Sequence, residues 1–443
     1  MRAVGGSILL ALLIATGAEA ATATAPGGNA EVVRYVVKPR DTLWQLDRSF
    51  IVAPKTWQAL LPLSGAHSPR KLPIGRTLAI PRSWLRSTPD EARLASYRGT
   101  VSIEAGGHAV APATGLAIGE GAHITTGADS FVTLILADGS RVTLPSQSGV
   151  TVGAMRRLVL NNAIEYRLDL DKGRVQTHVE PLKDPSGRYR IATPITMTAV
   201  RGTEFRVSYD PARAAAATEV LAGTVALAGK AGAPPVLVPH GFGGAADAQG
   251  HVRTEALLPA PDLADPGKPQ RDDAVSFHLA PVAGATAYRV VLATDAGFVD
   301  NYAERIAPGG DFTLNDVPDG NQFVRVSAIA ADGLEGLAQS YAFARQLASI
   351  HPGAVSQDAD GYRFRWFGSG HGERHYRFQL MRGSQQGAAV VDEVGLEHED
   401  LRVRRLSPGI YYWRVAVYQS GVENWTDFEK LTIGTPAGPA HGA

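Results

Sequence analysis

Period-two alternation of apolar and polar residues, sustained from Arg98 onward, is the feature that most constrains this fold. In "SFVTLILADGSRVTL" (130–144) two alternating runs flank Asp138-Gly139. Successive side chains of an extended chain point to opposite faces, so such runs predict half-buried strands, and Asp-Gly suits a two-residue hairpin. "IEYRLDLDKGRVQTHV" (164–179) predicts a second hairpin turning at Asp171-Lys172-Gly173, and "ATEVLAGTVAL" (217–227) a third turning at Ala222-Gly223-Thr224. With 48 Gly and 28 Pro in 443 residues, turns are plentiful. The expectation is a multidomain, mainly β chain forming an extended sheet, sandwich or solenoid-like stack in its middle.

The N-terminus argues for export. Arg2 precedes the apolar run Ile8–Ala15, and Ala18-Glu19-Ala20 supplies a small-x-small ending. This predicts a signal peptide over 1–20, cleaved after Ala20, and a periplasmic protein with no transmembrane segment once mature. The chain has no cysteine, so packing alone must hold its domains. Lys plus Arg and Asp plus Glu are both 43, without the basic footprint of a nucleic-acid binder. No nucleic-acid partner is expected.

Residues 33–84 change pattern. Tyr35-Val36-Val37 reads as a short strand stopped by Pro39, and Asp41 or Thr42 can cap a helix carrying Leu43, Trp44, Leu46, Phe50 and Ile51. A second helix is expected from Pro54 through Trp57, Leu60 and Leu61, and Gly75-Arg76 turns into the strand Thr77–Ile80. With "YVVKPRDTLWQL" in front and "LPIGRTLAIP" behind, this strand-helix-helix-strand unit resembles a LysM domain, a small α+β (βααβ) module that binds peptidoglycan and chitin. Arg40 stands where the family has Gly before Asp-Thr, and Leu61 where an Asn is usual. The resemblance implies binding of glycan containing N-acetylglucosamine, between Asp41, Thr42 and Leu43 on one side and Pro62 and Leu63 of the loop after the second helix on the other. At helical spacing Trp44 and Trp57 are expected in the core.

Residues 98–230 resemble the periplasmic FecR domain. The likeness rests on "GEGAHITTGADSFVTLILADGSRVTL", "LDLDKGRVQTHV", "IATPITMTAVRGTEFRV" and "TEVLAGTVAL". FecR proteins of iron–siderophore signalling carry a cytoplasmic anti-sigma segment and a transmembrane helix ahead of this domain. A leader and a LysM-like module are read in that place here, so the resemblance implies a β-rich protein-interaction surface and not sigma regulation. Gly202 of "VRGTEF" (200–205) reads as a bulge or a close backbone approach, with Arg201 and Glu204 structural.

A Gly-, Ala- and Pro-rich linker is expected over 231–267. Beyond it the chain nearly repeats. "YRVVLATDAGF" (288–298) answers to "YRFQLMRGSQQ" (376–386), and "VPDGNQFVRVSAIAADGLEG" (317–336) to "LSPGIYYWRVAVYQSGVENW" (406–425). Both halves, 268–348 and 352–435, resemble fibronectin type III β-sandwiches. Leu406, Pro408, Gly409 and Tyr412 match the corner in which a tyrosine hydroxyl returns to the backbone upstream. The first copy has Pro318, Gly320 and Phe323 there, and Trp366 and Phe277 stand at the core aromatic position.

No nucleophile elbow, zinc-protease motif or nucleotide loop occurs. His371 and His375 lie among glycines that disfavour a helix, and Asp358–Gly361 reads as a turn. Neither metal, other cofactor nor catalytic residue is expected. The reading is a non-enzymatic envelope protein that binds peptidoglycan and presents its β domains to unidentified envelope proteins. A cell-wall hydrolase or a signalling component is the alternative.

Overall fold

The computed structural model describes residues 31–434 apart from 231, 371–373 and 420–421. The leader expected over 1–20, and His371, lie outside the described residues. Among those residues no helix is long and apolar enough to cross a membrane.

The N-terminal module is built as its pattern predicts. Val32–Val36 pairs antiparallel with Thr77–Pro81, with Val33 opposite Ile80. Helix α1 (Leu43–Phe50) starts at Thr42, whose Oγ1 accepts the Gln45 amide at 3.2 Å. Helix α2 (Trp57–Ser64) has its first amide bonded to Asp47 Oδ2 at 3.0 Å and stops at Gly65. Val33, Leu43, Leu46, Leu60, Leu78 and Ile80 form a core that Leu158 and Ala163 of the next unit complete. At roughly 1.5–3 kcal/mol per large apolar side chain buried, that shared core seats the module on its neighbour. Arg82, nearly fully buried, donates to the Ser186 carbonyl in the same seam, and Glu31 pairs with Arg190.

The central β unit consists of two ladders around one apolar core. One runs from His108–Val110 through Val101–Ala105, His123–Thr126 and Gly149–Leu158 to Ile164–His178, and on to Val236–Pro239. The other contains Ala92–Arg98, Phe131–Leu136, Arg141–Leu144, Glu204–Asp210, Ala215–Ala222 and Phe242–Ala246. Ile164–His178 belongs to both. Its N-terminal part pairs with Gly149–Leu158, and from Gly173 it pairs with Glu204–Asp210.

Two of the three expected hairpins are therefore corners where one chain changes sheet. Gly173 does not reverse the strand. It has φ +78°, and a Cβ there would meet the Gln147 carbonyl at 2.5 Å. A bulged glycine bends one continuous strand from sheet to sheet. Across Ala222-Gly223-Thr224 the flanking strands pair with different partners, Glu204–Asp210 before and Thr196–Val200 after. Asp138-Gly139 does turn a hairpin, with Ile135 opposite Arg141 and the Leu136 amide bonded to the Ser140 carbonyl, which makes its loop three residues.

The stretch expected as a linker contributes three paired strands to the central unit. Val236–Pro239, Phe242–Ala246 and Val252–Ala256 extend the ladders, which also reach back to Ser87–Pro89 and Ala92–Arg98. Gly243, Gly244, Ala245 and Ala246 lie on paired strand, but small residues carry no apolar–polar contrast, so the alternation is silent there.

Two sandwiches follow. The first packs Val275–His278 and Asp311–Leu314 against a sheet of Asn301–Ala307, Ala285–Ala293, Gly320–Ala330 and Glu335–Arg345. The second packs Ser349–Asp358, Gly361–Ser369 and Asp400–Val403 against a sheet centred on His375–Arg382 and Gly409–Gln419. Phe277 and Trp366 are buried, and Trp366 stacks on Phe378, 6.0 Å between ring centroids. The expected corner shifts by one residue. Tyr411 Oη, not Tyr412, donates to the Ser407 carbonyl at 2.9 Å, because alternation along Gly409–Gln419 turns Tyr411 inward. In the first sandwich the buried Gln322 holds the corresponding place, two residues past the glycine, and bonds the Asp319 carbonyl at 3.4 Å.

The first sandwich docks face to face on the central unit through buried ions. Arg174 and Arg206 both reach Glu335, whose Oε1 also accepts from Ser327 Oγ at 2.7 Å. Arg206 Nη2 further donates to the carbonyls of Glu335 at 2.7 Å and Gly336 at 2.5 Å. Arg289 lies 3.2 Å from Glu335 and pairs with Glu304, while Glu219 accepts the Glu335 amide. Burial alone raises Glu335, yet Arg206, Arg289 and Arg174 outweigh it and hold the carboxyl well below its usual range. At the rim Asp300 takes both prongs of Arg98, at 3.0 and 2.7 Å, and a bond from Ser96.

Candidate functional site

The turn between the first strand and α1 is held by its own side chains. Arg40 has φ +75°, the left-handed region where the related motif has glycine. Asp41 Oδ2 locks that bend by accepting from Tyr35 Oη and the Lys38 amide, both at 2.7 Å. Burial, and then the Asp41 bond, push the Tyr35 phenol up to about 12, so it remains a donor. The Leu43 amide bonds the Pro69 carbonyl at 2.9 Å, which ties the turn to the loop after α2.

The five residues expected at the site divide on this geometry. Asp41 and Thr42 lie part-exposed on the turn, Asp41 engaged in the bend and Thr42 in the cap. Leu43 is fully buried in the module's core. Pro62 and Leu63 lie within the last turn of α2, because the helix continues to Ser64; the loop begins at Gly65. The strip facing the turn is thus 65–70, which supplies Pro69 and Arg70.

Trp44, expected in the core, is 50% exposed. It projects from α1 next to Thr42, with the half-buried Trp57 ring 6.2 Å away and the Arg70 guanidinium 5.7 Å from its centroid. Helical spacing could not separate Trp44 from Leu43, since adjacent residues at a helix start differ only in which side meets the strands. A polar cap, an exposed indole and a nearby guanidinium form a shallow surface suited to a sugar ring, which has both hydroxyls and an apolar C–H face.

Residues 35–81 match the family model described as LysM domain, and residues 122–226 the one described as FecR protein. The chain carries a LysM domain and a FecR domain. Both are binding or signalling modules, and no catalytic family is indicated. No curated protein matches. Among solved structures, a protein from Parabacteroides distasonis described as an anti-sigma factor is 15% identical, over 30% of this chain and 59% of its own, with a TM-score of 0.26. The chain thus spans about three fifths of that protein's length. A two-domain fibronectin type III segment of chicken tenascin is 13% identical over 40% of this chain and 99% of its own, TM-score 0.30. The FN1–FN3 domains of chicken CNTN1 are 12% identical over 70% of this chain and 99% of theirs, TM-score 0.20.

Within the FecR domain, "VRGTEF" is a crossing between sheets. Gly202 has φ +120°, and a Cβ there would meet Pro181 Cα at 2.8 Å, the close approach its sequence suggests. Arg201 Nη1 donates to the Pro185 carbonyl at 2.8 Å. In the second sandwich Asp358 and Gly361 flank a tight turn that contains Asp360, and both aspartates pair with Arg402.

Proposed function

We propose that this protein is a non-enzymatic periplasmic component that grips peptidoglycan through its LysM domain and offers its FecR domain and sandwiches to other envelope proteins. The LysM match over 35–81 carries this reading, supported by the exposed Trp44 beside Thr42 and the 65–70 loop. A glycan anchor raises the local concentration of the attached domains near any partner in the same layer, without a contact of its own to that partner. The docking of the first sandwich on the FecR domain favours presentation as one surface.

A second reading, envelope signalling, is favoured by the FecR match over 122–226. It shares the anchor and adds a regulated partner. Calorimetric titration of the full chain with N-acetylglucosamine oligomers tests the common part. Saturable binding is expected, weakened at least about tenfold in Trp44→Ala, as loss of a stacked aromatic contact implies. Undiminished binding by that variant would remove the proposed surface.

A further inference from the structure

Beside the buried ions, the packed faces of the FecR domain and the first sandwich enclose a cavity of about 360 Å³, within the range of small-molecule sites. Arg141, Gln176 and His178 line it from one side, Phe298, Asn301 and Arg325 from the other. Its chemistry is unbalanced. The guanidiniums of Arg174, Arg206 and Arg289 are matched by Glu335, Glu219 and Glu304. Arg141 and Arg325 have no such match. Among the described residues the Arg325 guanidinium bonds only the Ser340 hydroxyl, at 3.2 Å, and lies 3.8 Å over the Phe298 ring. The Arg141 side chain makes no hydrogen bond or ion pair there. Glu204 also borders the space, but it accepts from Gln176 and lies 3.9 Å from His178.

Two unpaired guanidiniums in a half-closed space repel each other and lose water. Burial, which the charge of Glu204 offsets only in part, and then Arg141 lower Arg325 to about 10. Asn301, almost fully buried, adds an amide oxygen without a partner. What relieves both faults is an anion that also carries a donor. We propose that this interdomain cavity binds a small organic anion, its carboxylate or phosphate held between Arg141 and Arg325 and a hydroxyl meeting Asn301. The planar forks of arginine suit either head group.

The test is thermal unfolding of the full chain in citrate, in glycerol phosphate, and in sodium chloride at matched ionic strength. A saturable rise in Tm with either organic anion, absent with chloride, is expected, since a ligand bound only to the native state stabilises it by mass action. Citrate alone acting would assign a carboxylate, glycerol phosphate alone a phosphate. Arg325→Gln and Arg141→Gln should each weaken the response at least about tenfold in half-saturating concentration. Arg141 is unpaired, so its variant should keep the parent Tm in chloride and decides alone if Arg325→Gln does not fold. No rise with either anion, an equal rise with chloride, or an unchanged response in Arg141→Gln would overturn the proposal.

Discussion

Arg40 shows how a single residue can keep a turn while working against it. A non-glycine residue at φ +75° is strained by its Cβ, and the bend persists because Asp41 fastens it to Tyr35 and Lys38. Arg40→Gly should therefore stabilise the LysM domain by about 1 kcal/mol in calorimetry. A loss instead would mean that the Arg40 side chain makes a contact the turn needs. At the other end, Tyr411→Phe removes the hydroxyl that donates to the Ser407 carbonyl and should cost about 0.5–1.5 kcal/mol, while Tyr412→Phe should be nearly neutral. The reverse order would restore the corner to Tyr412. The family spacing gave the corner and missed its residue by one. The phase of alternation settles it, because Tyr411 and Trp413 face inward together.

At the scale of elements, period-two patterning revealed which side chains enter the core but not whether the opposite face meets water. Val175 and Thr177 were legible as inward. Arg174, Gln176 and His178 fall on the opposite phase of the strand, and they border another domain's sheet. Charge alternates with the same period in a wet face and a dry ionic one, and only the partner sheet tells them apart. Glu335→Ala leaves Arg174, Arg206 and Arg289 without their shared carboxylate, so it should cost about 3–5 kcal/mol and release the first sandwich to proteolysis. An unchanged unfolding profile would contradict a docked interface. Acid should act at its rim. Asp300, held down to about 2 mainly by the Arg98 bonds, contributes stability that is complete above its unfolded value near 4 and is lost as pH falls through about 2. Between pH 4 and pH 2 the parent should lose more stability than Asp300→Asn, and parallel pH profiles would rule this linkage out.

Across the whole molecule, a LysM domain, a two-ladder β unit and two sandwiches follow one another, and at least the first three units share buried contacts. The four-part architecture was legible because helical spacing in the first part gives way to period-two strands and the last two parts nearly repeat each other. The extent of the central unit was not. Strand Phe242–Ala246 is built mainly of residues too small to alternate, and sheet crossings at Gly173 and Gly223 look like hairpins in a linear text. The account rests on the hold at the N-terminal end, and co-sedimentation of the full chain with insoluble peptidoglycan sacculi tests it most directly. The parent should pellet with the sacculi and release no labelled fragments, while a variant carrying Thr42→Ala and Trp44→Ala, which spares the buried Leu43, stays in the supernatant. Parent protein left in the supernatant, or parent and variant pelleting alike, would contradict it.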